Sequence, residues 1–218
     1  YILSKLKISV QNIKNGLDSF DTQLAYNHIA YFFEVLNNWY IRRSRNRFWK
    51  TEKDQDKQNA YNTLYSCLEV ISKAMSSLLP LISEEIYLGL TNSREKGGSV
   101  HLTDFPKLNI AFNAELVSIM DQVLDICTNS LFIRSSENIR VRQPLTSLTI
   151  ICKNTMSLMP FEELIKDEIN VKAIIYKEDL ENYADHKLSI NFPNLGKRLP
   201  NKMKDIIAAS KKHQWQLI

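Results

Sequence analysis

The sequence has 218 residues, of which 44% are apolar and 24% are charged, a globular composition with enough material for a sizeable core. Its formal charge is +4, from 28 basic and 24 acidic residues, so an anionic partner would have to be held by a local cluster. Only five glycines are present and no glycine-rich phosphate loop occurs, which argues against a nucleotide-hydrolysing or dinucleotide-binding core.

The first two thirds of the chain carry apolar residues at helical spacing. This spacing predicts helices over residues 2–17, from 22 to the high forties, 55–78, 82–91 and 113 to about 137. Asp18, Ser19 and Asp21 are candidate caps between the first two helices, and Asn113 is a candidate cap of the fifth. Pro80 is expected to end or kink the third. We therefore expect an antiparallel helical bundle over residues 1–143.

The period changes after Pro144. Strands are predicted over 147–152, 171–176 and 187–192, and helices over 159–169 and 200–213. This β-α-β-β-α order predicts a small and incomplete α/β domain over residues 144–218. The expected fold is mainly α, with a helical bundle followed by a small α/β subdomain.

The cysteines and histidines show no metal-ligand spacing. Cys67, Cys127 and Cys152 are far apart and form no C-x-x-C, so we expect reduced thiols packed as small apolar side chains in a cytoplasmic protein. No apolar segment approaches the roughly 20 residues that cross a bilayer, so no membrane span is expected. The chain begins without methionine in the middle of a helical pattern, as a piece of a longer protein would.

One basic and aromatic stretch, NNWYIRRSRNRFWK, covers residues 37–50. Projected at 100° per residue, the predicted second helix has an apolar stripe of Tyr26, Ile29, Phe33, Leu36 and Tyr40. The same stripe continues into Arg43 and Arg47, so its buried face is expected to become cationic in the last two turns.

Two interpretations of this stretch compete. Cations are favoured at a helix C-terminus by about 0.3–1 kcal/mol each, and arginine pairs with nearby carboxylates. Alternatively, guanidinium groups bind phosphates and unpaired bases stack on aromatic faces, as in RNA recognition. We favour the RNA groove, because four interleaved arginines at the tip of a bundle match a large anion. The candidate RNA-binding residues are Trp39, Tyr40, Arg42, Arg43, Arg45, Arg47 and Trp49.

Other functions remain as alternatives. A basic-tipped helical module that binds an acidic protein would not need the tryptophans. An acid–base hydrolase is disfavoured, since the adjacent pairs Glu84-Glu85 and Glu162-Glu163 point about 100° apart on a helix and do not converge. No catalytic residue is predicted.

A second basic patch, with Arg140 and Arg142 in the segment 134–145, is a weaker candidate for RNA contact.

Several ordered segments resemble class I aminoacyl-tRNA synthetases, most closely the isoleucyl-tRNA synthetases. They are YILSKL (1–6), NWYIRRSRNRFW (38–49), the stretch ending in SEEIY (60–87), SVHLTDFP (99–106), IRVRQPL (139–145) and LGKRLPNKMK (195–204). The Arg42-Arg43 pair and VRQPL favour the isoleucyl over the valyl enzymes, although a sibling valyl or methionyl synthetase remains an alternative.

The resemblance implies an anticodon-binding bundle followed by the start of a C-terminal junction domain. The parent enzyme would join isoleucine to its tRNA with ATP and magnesium. Signatures of the His-x-Gly-His and Lys-Met-Ser-Lys-Ser types do not occur here, nor does a cysteine-rich zinc ribbon, so this part should be non-catalytic and without cofactor or metal. Its implied partner is the anticodon stem-loop of the isoleucine tRNA, bound by a monomer. Arg140 and Arg142 would support the stem backbone or brace the two domains.

Overall fold

In the computed structural model, which describes residues 1–152, 155–178, 191, 198 and 202–211, the predicted helices of the first part are present. They are α1 (Ile2–Asp18), α2 (Thr22–Val35), α3 (Arg45–Trp49), α4 (Gln55–Met75), α5 (Pro80–Thr91) and α6 (Ala114–Ser136). A π-helical segment, Leu36–Ile41, connects α2 with α3, and 3-10 turns lie at Arg94–Lys96 and Val100–Leu102. The prediction of a mainly helical bundle is confirmed.

The chain divides into two compact units, Tyr1–Thr128 and Asn129–Ile218. The division falls inside α6, whereas the change of sequence period lies near residue 144. The domain boundary predicted between residues 143 and 144 stays a prediction.

Polar side chains cap the helices where the sequence predicts them. Asp21 accepts a hydrogen bond from the backbone N–H of Leu24 at 2.9 Å, and Asn113 accepts one from Leu116 at 2.9 Å. Each satisfies a donor that the first turn of a helix leaves without an intrahelical acceptor. Of the four candidate caps, Asp21 and Asn113 are thereby confirmed as N-caps.

Pro80 begins a helix instead of ending one. Helix α4 already ends at Met75, and Pro80 occupies the first turn of α5. Proline suits this position because the first-turn N–H groups have no intrahelical acceptor and its φ is already helical. The predicted third helix over 55–78 is therefore three residues too long.

The core of the first unit is built from α1, α2 and α4. Its fully buried side chains include Leu6 and Ile13 of α1, Phe32 of α2 and Ile71 of α4. Gly16 lets α1 approach α2 closely, since a Cβ there would lie 2.8 Å from the backbone N of Ala25. The apolar spacing that predicts a helix over residues 2–17 therefore corresponds to buried positions of α1.

The buried face of α2 differs from the predicted stripe. The buried positions are Ala25, Ile29, Phe32 and Val35, whereas Tyr26 is 51% exposed. The predicted stripe is therefore wrong at its first position, where Ala25 is buried in place of Tyr26. Spacings of three and four fit both series, so only the packing partners on α1 and α4 distinguish them.

A buried cation joins α1 to α6 within the first unit. The Lys5 ammonium lies 2.8 Å from Asp121 Oδ2, and the Tyr1 hydroxyl donates to Asp121 Oδ1 at 2.7 Å. The ring centroid of Tyr31 is 4.9 Å from the same ammonium. Burial lowers the pKa of Lys5, but hydrogen bonds with Asp121 and Tyr31 raise it above its ordinary value, so Lys5 is charged at neutral pH.

Helix α6 is long and apolar enough to cross a membrane by length and composition alone. The expectation that no apolar segment approaches that length is wrong for this helix. In its most apolar window 28% of the residues are buried. The residues of α6 that are buried in the first unit are Val117, Met120, Val123 and Cys127. Length and composition are weak criteria, because a core helix of a soluble protein can meet them as well.

A parallel strand pair forms the core of the second unit. Strand β1 (Leu145–Ile151) pairs with β2 (Val171–Lys177), in register from Leu145 opposite Val171 to Ile151 opposite Lys177. Helix α7 (Glu162–Ile169) connects them, as a parallel pair requires, and α8 (Met203–Lys211) follows. The predicted strand over 187–192 lies outside the described residues apart from residue 191, as do the ends of the predicted terminal helix.

Two of the three cysteines pack as the composition suggests. Cys67 is 0% exposed in the bundle core and Cys127 is 2% exposed, whereas Cys152 is half-buried. Burial raises the pKa of the Cys67 thiol to about 12, because the thiolate would lose its hydration.

We therefore expect Cys67 to resist alkylation by iodoacetamide at pH 8 in the folded chain and to react fully in urea, since the thiolate is the nucleophile. Mass spectrometry of the modified peptides measures this. Cys152, which is half-buried, is the internal control. Equal labelling rates of Cys67 in the presence and absence of urea would contradict the burial.

Candidate nucleic-acid interface

The π-helical segment Leu36–Ile41 changes which side chains of the basic stretch face the core. A π-helix closes its hydrogen bonds from i to i+5, so the residues after it are rotated relative to an α-helical projection. The buried positions are Trp39, Ser44 and Phe48. The expectation that the buried face becomes cationic is therefore wrong. Arg43 and Arg47 are half-buried at its edge instead.

Arg45 and Trp49 form an exposed pair on α3. The guanidinium carbon of Arg45 lies 5.3 Å from the Trp49 ring centroid, within the range of a cation–π contact. Trp49 is 77% exposed, the most exposed tryptophan among the described residues. The pair offers a flat ring with an adjacent cation, which is the combination that base stacking and phosphate binding use.

Arg47 is held by a carboxylate of the same chain. Its Nη2 lies 2.7 Å from Asp56 Oδ1, its Nε donates to the same carboxylate at 2.9 Å, and Nη2 also donates to the Asp56 backbone carbonyl at 3.2 Å. The hydrogen bond from Arg47 holds the pKa of Asp56 below its usual range. Lys50 extends the cluster, with Nζ 2.5 Å from Asp54 Oδ2. At Arg47 the structure therefore agrees with the interpretation in which arginine pairs with a nearby carboxylate.

Aromatic contacts position α3 against α4. The Phe48 ring lies 5.1 Å from the Tyr61 ring and 6.4 Å from the Tyr40 ring, both edge to face. The Tyr40 hydroxyl donates to the Ala60 carbonyl at 3.1 Å. Tyr40 and Phe48 thus anchor the five-residue helix α3, which is too short to be stable alone.

Arg42 and Arg43 complete the stretch. Arg42 is exposed, and its Nε donates to the Asn38 carbonyl at 2.7 Å. Arg43 lies with its guanidinium carbon 6.0 Å from the ring centroid of Trp39. Trp39 is only 7% exposed, so its ring packs beside Arg43 and does not offer an open surface for base stacking.

A recess of about 330 Å³ opens beside these residues in the first unit. Trp39, Tyr40, Arg43, Ser44 and Arg47 contribute its polar and aromatic lining. The remaining wall is mostly apolar and comes from the start of α1, α4 and α6. Several of the predicted residues are thereby brought to one concave surface.

The second predicted patch lies in the second unit. Arg140 and Arg142 are exposed in the loop between α6 and β1. The buried arginine there is Arg134, which is 4% exposed and donates to the backbone carbonyls of Arg140, Gln143 and Asn170 at 3.0–3.2 Å. Arg134 therefore fastens the C-terminal end of α6 to residues next to the strand pair within the second unit.

The sequence analysis missed two residues of this surface, Ser44 and Asp56. Asp56 lies in the first turn of α4, where an acidic residue is a recognisable signal. No signal in the sequence identifies Ser44 as buried. Among the described residues, no group of three or more metal-ligating side chains comes together.

Comparison with known proteins covers the whole chain. Residues 1–150 match the family described as the anticodon-binding domain of tRNA ligase. The chain is 65% identical to the isoleucine–tRNA ligase of Rickettsia bellii strain RML369-C, with 100% of the chain and 21% of that protein aligned. Identity is 63% to the Rickettsia canadensis enzyme and 60% to the Rickettsia prowazekii enzyme, at 99% coverage of the chain and 23% and 22% of theirs.

The chain thus spans about a fifth of the length of the relatives it matches. These matches confirm the resemblance inferred from the ordered segments, including the preference for the isoleucine enzyme. The matched region, residues 1–150, includes the whole basic stretch and the recess beside it. The chain belongs to the anticodon-binding domain family of the tRNA ligases.

Proposed function

We propose that this chain binds the anticodon stem-loop of the isoleucine tRNA, as the anticodon-binding part of an isoleucine–tRNA ligase. The observation that carries the proposal is the exposed Arg45–Trp49 pair on α3, within a domain of the anticodon-binding family. Bases of a single-stranded loop would stack on the Trp49 ring, and Arg45 and Arg42 would contact phosphates. Arg140 and Arg142 would contribute further phosphate contacts from the second unit.

The complete enzyme would attach isoleucine to tRNA with ATP and magnesium, in parts of the polypeptide beyond these residues. This part would supply positioning and discrimination, since backbone contacts fix the register of an RNA and base contacts carry its identity. A monomeric state and a cytoplasmic location belong to the same proposal. A valyl or methionyl assignment is disfavoured by the isoleucine–tRNA ligase relatives at up to 65% identity.

The test is a binding comparison between the isoleucine tRNA and a transcript that differs only in its anticodon. We expect the altered tRNA to bind about tenfold or more weakly, because each specific base contact contributes about 1–3 kcal/mol. Quenching of tryptophan fluorescence measures the binding, with Trp49 as the exposed reporter. The ratio of the two affinities matters more than either value, since sites elsewhere in the enzyme would add affinity through linkage.

Salt dependence is the control for the phosphate contacts. Affinity should fall linearly in a log–log plot, with a slope of about 0.7 per single-stranded phosphate neutralised. Equal affinity for both tRNAs together with a flat salt response would refute the proposal. It would favour the alternative of a basic module that binds an acidic protein.

A further inference from the structure

Two carboxylates at the start of α4 lie against two cations at the end of the basic stretch. Arg47 donates from Nε to Asp56 at 2.9 Å, and its Nη2 lies 2.7 Å from the same carboxylate. The Lys50 ammonium lies 2.5 Å from Asp54 Oδ2 and 3.3 Å from Asp56 Oδ2. The four side chains thus form one continuous network, in which two positive and two negative charges cancel.

The two carboxylates differ in what they do for the fold. Asp54 caps α4, because its side chain accepts a hydrogen bond from the backbone N–H of Lys57 at 2.8 Å. Among the described residues, the donors to the Asp56 carboxylate are Arg47 and Lys50. The Asp56 side chain is 51% exposed, and exposed ion pairs contribute little to stability. Its larger effect is therefore on the charge that a binding partner meets.

The position of the network matters for any polyanion that approaches α3. Without a carboxylate, Arg47 and Lys50 would extend the cationic surface that begins with Arg45 beside Trp49. Phosphates bind exposed cations whatever the sequence of the RNA, whereas base contacts distinguish one RNA from another. Base contacts hold a matching RNA in one register, but a non-matching RNA can shift until its phosphates reach every cation. Additional exposed cations therefore favour the non-matching RNA.

We propose that Asp56 is a specificity residue of the RNA interface, which acts by withholding Arg47 and Lys50 from phosphates. This inference rests on the proposed function and deepens it. Arg45 and Trp49 would contact the anticodon loop, and Asp56 would limit the binding of RNA whose bases do not fit. Ion pairing and RNA recognition then both occur in the basic stretch, each with different cations.

Asp56→Asn tests the inference with the 218-residue chain, the isoleucine tRNA and the transcript that differs only in its anticodon. The variant keeps the shape of the side chain and removes its charge, so Arg47 and Lys50 lose a counter-ion. At 0.1 M salt we expect the altered tRNA to bind about threefold to tenfold more tightly and the isoleucine tRNA to gain less. The log–log salt slope for the altered tRNA should steepen by about 0.7 for each further phosphate contacted.

Asp18→Asn is the matched control, because it removes the same charge from another exposed ion pair, the one with Lys14. Asp18 precedes the continuous helical segment Thr22–Ile41 and the basic tip follows it, so about 30 Å of helix separates them. Salt screens charges over this distance, and Asp18→Asn should leave both affinities unchanged.

Arg47→Ala shows whether the gain comes from the released arginine. Alone it should change binding only slightly, because Asp56 already holds the guanidinium. In the Asp56→Asn background it should remove much of the gain, a coupling that independent sites would not show. Asp56→Glu keeps the charge and should keep the affinities of the unsubstituted chain, with circular dichroism as the check on folding of every variant.

Unchanged or weaker binding of both tRNAs by folded Asp56→Asn would overturn the inference. An equal gain from Asp18→Asn would do the same, since it would trace the effect to net charge, and a gain from Asp56→Glu would trace it to a local change of structure. If the unsubstituted chain distinguishes the two tRNAs while Asp56→Asn alters neither affinity, the proposed function stands and only the role of Asp56 fails. Absence of RNA binding by the unsubstituted chain would remove both.

Discussion

Trp49→Ala should weaken binding to the isoleucine tRNA by about tenfold to a hundredfold while the melting temperature of the chain stays unchanged. One base stacked on an aromatic side chain contributes about 1–3 kcal/mol, and tenfold in affinity corresponds to 1.4 kcal/mol. The ring is 77% exposed, so its removal takes little apolar area out of the core. Fluorescence anisotropy with labelled tRNA and thermal unfolding by circular dichroism measure the two quantities.

Arg45→Ala and Arg47→Ala form a matched pair that separates stacking from net charge. Each removes one positive charge from α3. Arg45 lies over Trp49, whereas the guanidinium of Arg47 is held by Asp56. We expect Arg45→Ala to weaken tRNA binding clearly and Arg47→Ala to weaken it only slightly. Equal losses from both variants would mean that the tRNA senses only the charge of the helix, which would contradict a stacking platform.

Asp121→Ala should produce the largest loss of stability among the polar substitutions considered. It removes the carboxylate that accepts from Lys5 and Tyr1 and leaves the Lys5 ammonium buried without its counter-ion. We expect the free energy of unfolding to fall by about 2–4 kcal/mol, because breaking a buried ion pair leaves an uncompensated charge. The lower end of the range for buried pairs applies since the Asp121 side chain is 38% exposed. Urea unfolding followed by circular dichroism measures the change.

Lys5→Met is the control for this prediction. It removes the buried charge and keeps an apolar chain of similar length, and Asp121 keeps its contacts with solvent and the Tyr1 hydroxyl. The loss should therefore be much smaller than for Asp121→Ala, since replacement of a buried ion by an apolar residue is often nearly neutral. A loss as large as that of Asp121→Ala would show that the attraction itself, and not the cost of an unpaired buried charge, dominates at this site.

Both pairs of variants rest on the same distinction between exposed and satisfied cations. Lys5 and Arg47 pair with carboxylates on other helices, and Arg134 donates to backbone carbonyls beyond α6. Arg45 has an aromatic partner and faces solvent. The sequence does not show which basic residues have a partner within the chain. Arg45 and Arg47, both predicted to bind RNA, therefore have different surroundings in the structure.

Most of the architecture could be predicted from local patterns. The helices follow from apolar spacing, the caps at Asp21 and Asn113 from side chains that accept first-turn hydrogen bonds, and β2 from its alternation. The family could also be recognised, because the ordered motifs of the chain are local strings of residues. These features depend on neighbours in the sequence, so a single sequence contains them.

The tertiary structure alone decided which side chains of residues 37–50 face the core. A helical projection places Tyr40, Arg43 and Arg47 on the buried face. Because of the π-helical segment and the break at Ser44, the buried residues are instead Trp39, Ser44 and Phe48. A helical projection assumes a constant rotation per residue, and the packing of Phe48 against Tyr40 and Tyr61 does not preserve it. By itself the sequence determined that this chain is a helical anticodon-binding domain with a basic, aromatic tip. Only long-range packing decided which of its cations are held by the chain and which face solvent, because the partners of Lys5, Arg47 and Arg134 lie outside the helix that carries each cation.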